Sequence, residues 1–331
     1  MLFSDKRGKE FKMKSNKLSD LVVKLRNFEG LTRKAALGEI LEIFEEKSYD
    51  DAGFLDVGDS KVVVSCDGIV ENLVKSAPLL AGYYSVLVNV NDVVAKGARP
   101  LGFVSIISSS SSRIRKKVSE GIKEGLRKYG IKLLKGHLHP DTSYDAVDAA
   151  AIGVARNILP STNAKTGDSL IVAVDLVGKY SSKGWLKTFD STTMKSSQDV
   201  LRRLDSMIEI AKRRLAHAAR DISGPGVIGT IAMLCESSKV GAKIDLEKVP
   251  KPKDVCLEEW LMTYPGIGFV ISTKQPKECL HLLRRSGLSA ATVGKVTSNN
   301  EIWLSYRKRQ ELFFDLKRQS VFGVAREGER F

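Results

Sequence analysis

Along the chain, apolar residues recur at helical spacing in some stretches and crowd into short β-branched runs in others, and the two patterns alternate to the end. LTRKAALGEILEIFEEK (31–47) repeats apolar positions with a helical period behind a threonine suited to capping. KVVVSC (61–66) is a short buried strand by the same test. Pro78 to Ala98 opens on proline, keeps helical periodicity and stops at Gly97-Ala98-Arg99-Pro100, after which LGFVSIIS returns to strand. Serines 108–112 stand where an N-cap is needed for the basic amphipathic helix that ends at Tyr129-Gly130, and DAAAIGVA (148–155) closes the first half as a strand. The polar, Pro- and Gly-containing stretch NILPSTNAKTGD marks a boundary near residue 160. Beyond it, SLIVAVDL reads as a strand, 197–219 as a long basic helix, 226–238 as a helix behind a glycine-rich turn, and GFVIS and ATVGKV as strands. The expected fold is α/β in two domains, 18–160 and 161–331, behind a basic tail of residues 1–17.

Composition narrows the class. With 331 residues, 43% hydrophobic and 28% charged, the chain is long enough for two packed cores and unlike a disordered protein. The longest apolar candidate, PLLAGYYSVLVNVNDVVAKG, is interrupted by Asn89, Asn91, Asp92 and Lys96, so it is no membrane span. The N-terminal stretch lacks the apolar centre of a secretory signal. Cys66, Cys235, Cys256 and Cys279 lie far apart without a CxxC pair, which fits free thiols in a reducing compartment. A cytoplasmic protein is expected. The net charge of +14 gathers in the tail, in RIRKK (113–117), KRR (212–214) and RKRQ (307–310). Without interleaved aromatics or a known motif, these clusters read as a solvated basic surface that attracts anions rather than as a nucleic-acid groove.

Three stretches could carry chemistry. KGHLHPDTSYD (135–145) holds His137, His139 and Asp141, the opening of a zinc-hydrolase ligand set or else a glycine turn beside a phosphate. A zinc site needs more ligands; only His217 and His281 remain, and His217 falls within the predicted basic helix. GPGVIG (224–229) satisfies GxGxxG, but the helix AKRRLAHAAR seems to precede it where a dinucleotide fold needs a parallel strand. As a helix N-terminus beside Asp221 it still suits an anion. The third pattern is a set of carboxylates at element ends: Asp50 and Asp51 before a strand, Asp67 ending one, and Asp92 sharing a helix face with Asn89 and Lys96. Hard oxygen ligands near Gly53, Gly68 and Gly97 suit Mg²⁺ and a bound phosphate.

Taken in order, YDDAGFLDVGD, SCDGIV, NVNDVVAKGARPLGFV, KGHLHPDTS and DISGPGVIG resemble the motifs of the AIR synthase-like superfamily, from about Phe28 to about Gly323. That superfamily includes aminoimidazole ribonucleotide synthetase, selenophosphate synthetase, thiamine-phosphate kinase and a hydrogenase-maturation dehydratase. Within it, NFEGLTRK, AGYYSVLVNVND, GHLHPDTSYDAVD, TTMKS and DISGPGVIGT are most similar to the methanogenesis marker protein 2 group. The resemblance implies two α/β domains, a homodimer whose N-terminal domains pair into a shared β-barrel, and an ATP site near that interface. It places magnesium carboxylates at Asp51, Asp67 and Asp92, with Asp50 beside them. It sets His137 at the third position of a GG[D/E/H] turn, facing ATP and substrate, with Lys135 and Gly136 before it. Asp221 becomes the aspartate opening the second domain's glycine-rich motif; Asn89 and Lys96 are expected as neighbours of the nucleotide. Family enzymes move the γ-phosphoryl of ATP onto an acceptor, so the expectation is an ATP- and Mg²⁺-dependent enzyme activating an oxygen of a small-molecule or peptide acceptor, possibly serving methanogenesis-type cofactor or enzyme maturation. A thiamine-phosphate kinase-like enzyme and a non-catalytic ATP-binding maturation factor are the alternatives. Two departures bear on activity: Tyr49 and Lys135 stand where the family has glycine, and a lysine there would lack glycine's freedom at positive φ.

Overall fold

The structure, a computed structural model, describes residues 18–46 and 49–324. The predicted tail 1–17, the end of the predicted 31–47 helix at Lys47, and residues 325–331 lie outside them. The described residues open with α1 (Leu18–Arg26), α2 (Glu29–Thr32), a 3₁₀ turn and α3 (Leu37–Ile43), so the described part of the predicted 31–47 helix is broken into short pieces.

The first domain is a five-stranded sheet backed by two long helices. In chain order it runs β1 (Gly53–Val57), β2 (Ser60–Gly68), α4 (Glu71–Ser76), α5 (Pro78–Ala95), β3 (Arg99–Ser108), α6 (Ser112–Tyr129), β4 (Lys132–His139) and β5 (Ala146–Ala155). The spatial order is β1-β2-β5-β3-β4. Only β3 and β4 are parallel, joined by the α6 crossover. Pro78 starts α5 at a position that needs no N–H donor, and Ser111 caps α6 by accepting from the Ile114 N–H. α5 is apolar nearly all round because it is buried on several sides, between β2, β5 and α6 and against elements of the second domain. The other face of the sheet leaves Leu55, Val64, Ile106, Leu134 and Val154 exposed, and β1 and β4 each pair on one side only among the described residues. Among the described residues of one chain no barrel closes.

The second domain follows with β6 (Ser169–Val174), β7 (Lys179–Lys183), β8 (Leu186–Asp190), α7 (Ser197–Lys212), β9 (Ala218–Asp221), α8 (Gly226–Ser238), β10 (Gly241–Asp245), α9 (Leu257–Leu261), β11 (Tyr264–Pro265), β12 (Gly268–Thr273), α10 (Pro276–Arg285), β13 (Ser289–Thr297), β14 (Glu301–Tyr306) and β15 (Arg309–Asp315). Seven strands form a mixed sheet in the order β15-β14-β10-β13-β6-β12-β9, and β11-β8-β7 form a small one. α1 lies against β15, where Arg26 donates to the carbonyls of Leu312 and Phe313. Leu18, Leu21, Val22, Leu25, Phe28 and Leu31 join the core built around α8 and this sheet. Residues 18–46, placed with the first domain by sequence, are thus packed on the second.

Two other expectations change. The predicted helix 197–219 ends at Lys212; after Arg214, which turns at φ 54°, residues 218–221 form β9 and pair antiparallel with β12. GPGVIG therefore does follow a strand, although not the parallel one of a dinucleotide fold. His217 is not in mid-helix: it precedes β9, and its Nδ1 lies 2.8 Å from Asp168 Oδ2. Among the described residues, no helix is long and apolar enough to cross a membrane.

Candidate active site

Carboxylates from both domains meet at the junction. β2 alternates its side chains, so Ser65 and Asp67 share the face turned toward α5. α5 answers with Asn89 and Asp92, one helical turn apart. Ser65 Oγ donates to Asp92 Oδ2 at 2.5 Å, and Asn89 Oδ1 accepts the Asp67 N–H at 3.0 Å. From the second domain β9 delivers Arg220 and Asp221, both buried. Asp51, Asp92 and Asp221 each offer an oxygen, and these all lie within 4.8 Å of one another.

Three carboxylates in so small a buried space must take up protons or a further cation. Burial, then the negative charge of Asp51, hold Asp221 up to about 7. Burial, and after it Asp221 and Asp67, push Asp92 well above the ordinary carboxylate range. Asp221 Oδ1 is moreover a buried oxygen without a hydrogen-bond partner. The all-oxygen donor set, the crowding and the orphaned atom fit a divalent cation of the Mg²⁺ type.

Behind the cluster stand two buried cations. Arg220 pairs with Asp51 and donates to the Tyr49 carbonyl. Lys96 bonds Asp50, Ser161 Oγ and the Ala219 carbonyl, with Asp51 3.0 Å away. Burial alone would raise Asp50, but Lys96 and Arg220 beside it, with hydrogen bonds from Lys96 and Ser161, hold it at about 2. Asp50 is thus a bracket for Lys96 and Ser161. Asn89 and Lys96, expected as neighbours of the nucleotide, are fully buried with their polar atoms bonded to protein, behind the carboxylates.

A cavity of about 360 Å³ opens in front, of the size usual for small-molecule sites. Asp51, Asp67, Asp92 and Asp221 line it together with an apolar wall that includes Ile69, Leu73, Tyr84 and Val88. Arg33, Lys34, Tyr49 and Trp185 complete it. Arg33 lies over the Trp185 ring at 5.1 Å and Lys34 over the Tyr49 ring at 6.0 Å. Burial, with the charge of Asp51, holds Asp67 above the ordinary carboxylate range against the opposing pull of Lys34 and Arg33, so both cations act on this end of the cavity.

Lys135, Gly136 and His137 are not brought there. They lie exposed on β4, in extended backbone rather than a turn, and neither Lys135 nor Gly136 has positive φ, so lysine meets no conformational conflict. His137 is in register with Ile106, Asp148 and Gly68, three strands from the cavity wall, roughly 14 Å at ordinary strand spacing. The rings of His137 and His139 sit 4.8 Å apart, edge to face. Among the described residues they join no third metal-binding side chain. Tyr49 does not fill the cavity: its ring packs on Phe322 and its carbonyl accepts from Arg220 and Ser237. Sequence reasoning missed Arg220, Ser65, Arg33, Lys34 and Trp185. Adjacency to Asp221 and the two-residue spacing from Asp67 could have flagged the first two; the others come from segments without a carboxylate motif.

Residues 49–155 match the family described as AIR synthase related protein, N-terminal domain, and residues 165–306 match its C-terminal domain. An uncharacterized protein of Methanocaldococcus jannaschii is 36% identical over 92% of this chain and 99% of its own length. Thiamine-monophosphate kinase of Pyrococcus horikoshii is 28% identical over 66% of this chain and 74% of that one. Among solved structures, T. maritima PurL complexed with AMPPCP superposes with a TM-score of 0.73 at 18% identity, over 92% of this chain but 52% of PurL, so the chain spans about half of that protein. AaThiL complexed with AMPPCP and TMP gives a TM-score of 0.64 at 18% identity, over 84% of this chain and 96% of that one. With both domains matched in order and a full-length relative at more than a third identity, the chain belongs to the AIR synthase related protein family.

Proposed function

We propose that the protein is an ATP- and Mg²⁺-dependent phosphoryl-transfer enzyme that activates an oxygen of a small-molecule or peptide acceptor. The observation that carries this reading is the junction cluster, with Asp51, Asp92 and Asp221 within 4.8 Å of one another at a cavity of about 360 Å³. Those three residues would hold Mg²⁺, with Asp67 beside them; when bound, the ion supplies charge neutralisation and orientation for a transferred phosphoryl group. Ser65, Arg220 and Lys96 keep the carboxylates in place, and the apolar wall excludes water. Solved PurL structures in complex with ATP and ADP, and the AMPPCP-bound ThiL, support nucleotide binding in this fold. The exposed apolar face of the first sheet and its two free edges support pairing of two chains through their N-terminal domains. His137 and Lys135 would then act, if at all, across that pairing. The methanogenesis link rests on the resemblance alone. A kinase of the thiamine-monophosphate type is the second reading, supported by the P. horikoshii relative.

Calorimetric titration of ATP with and without Mg²⁺, on the wild type and Asp92→Asn, tests the reading. Mg²⁺-dependent binding that disappears in the variant is the expected result. Equal affinity in both proteins would remove the cluster from the site, and binding without turnover on any acceptor would favour a non-catalytic factor.

A further inference from the structure

The cavity carries charge of both signs, and part of the positive charge comes from ahead of the two matched domains. Arg33 and Lys34 belong to the segment 29–37, which precedes the first matched residue, 49. Neither makes an ion pair or a side-chain hydrogen bond among the described residues; each rests on an aromatic ring, Trp185 and Tyr49 respectively, and Asp67 is the carboxylate whose charge they feel. That is unlike Lys96 and Arg220, whose charges are consumed by Asp50 and Asp51. The segment is also firmly placed. Gly30 approaches the Gly224 loop so closely that a Cβ there would come within 2.3 Å of the Gly224 carbonyl oxygen, and Phe28 meets the Trp185 ring edge to face at 6.4 Å. Two uncommitted cations on aromatic platforms, at the cavity that ends in the acid cluster, form a preorganised anion clamp.

Resting on the phosphoryl-transfer reading, we propose that Arg33 and Lys34 are the specificity residues that hold the acceptor, and that the acceptor carries an oxyanion, phosphate or carboxylate, next to the oxygen that is phosphorylated. The acid cluster can take a polyphosphate only through a cation, whereas the clamp takes an anion directly. The two reactants would therefore be held in one cavity by different means.

The test is ³¹P NMR line-width titration of the full-length protein with inorganic phosphate, with and without saturating Mg²⁺-AMPPCP, whose resonances are separate; acetate is followed in parallel by its methyl signal. Phosphate and AMPPCP should bind together. Arg33→Gln and Lys34→Gln should each weaken phosphate about tenfold, as expected for one charge-assisted contact, and leave AMPPCP affinity within about twofold. Tighter phosphate than acetate would assign a phosphorylated acceptor; the reverse order, with the same loss in the variants, a carboxylate one. Competition between phosphate and AMPPCP, no phosphate binding, or unchanged phosphate affinity in the double variant would overturn the proposal. Failure of the wild type to bind Mg²⁺-AMPPCP would instead overturn the phosphoryl-transfer reading, with the nucleotide-free phosphate titration left to judge the clamp.

Discussion

Lys96 sits at the end of α5 with no solvent exposure, and its ammonium joins Asp50, Asp51, Ser161 and the Ala219 carbonyl. Removing one member of such a buried set leaves charge without compensation, which costs about 3–5 kcal/mol. Lys96→Met should therefore lower the urea unfolding free energy by that order. Asp50 gives the same network a pH signature. Its carboxyl is held at about 2 against an ordinary 3.8, so its contribution is fully present above about pH 4 and is lost as pH falls toward 2. The unfolding midpoint should drop across that window, and Asp50→Asn should flatten the drop. Asp221 behaves in the opposite sense. Held up to about 7, it keeps a proton at mildly acidic pH, and a cation must displace that proton to bind. Because Asp92 is raised as well, Mg²⁺ affinity measured by calorimetry should rise at least about tenfold per pH unit between about pH 5.5 and 7. An affinity that does not change between pH 5.5 and 8 would dissociate Asp221 from the cation.

At the scale of elements, α5 and α6 cross so closely that a Cβ at Gly121 would lie 1.9 Å from the Leu79 carbonyl oxygen. Gly121→Ala must push the helices apart, and overpacking of this kind costs about 1–3 kcal/mol; thermal unfolding would register it as a lower midpoint. Because α5 also carries Asp92, the shift should weaken Mg²⁺ binding as well. Both helices were legible in the sequence, since Pro78 and the serines before Arg113 are local start signals and the periodicity is long. Strand β9 was not. AHAAR is a run of good helix formers, and only pairing with β12 in a buried sheet overrides that preference. The carboxylates at Asp51, Asp67, Asp92 and Asp221 could be picked out because acidic residues at element ends stand out against an apolar background, and all four line the cavity. What no local pattern shows is how they are supported. Lys96 reads as a neighbour of the nucleotide and Arg220 as an ordinary surface cation until the fold buries both behind the carboxylates, and Arg33 and Lys34 look like part of an amphipathic helix until its break turns them toward the cavity.

On the scale of the whole molecule, the open face of the first sheet bears on assembly. If two chains close it, the wild type should sediment at twice its 36.4 kDa, and Leu55→Lys, on that face and 57% exposed in the single chain, should sediment as a monomer with its fold intact. A monomeric wild type would leave the face to another partner. The junction cluster has a separate consequence. Asp51 and Asp92 belong to one domain and Asp221 to the other, so the cation's cage is only as well formed as the packing between them, where Val90 and Val93 share a core with Met207 and Phe269. Every small rotation of one domain against the other changes the distance between its ligands. A cation at about a hundred times its dissociation constant would add about 2.7 kcal/mol, and that increment would fall on the relative posture of the two halves rather than on either alone. The ion would work as a clasp as much as a reagent, tightening a seam that the shared core already closes.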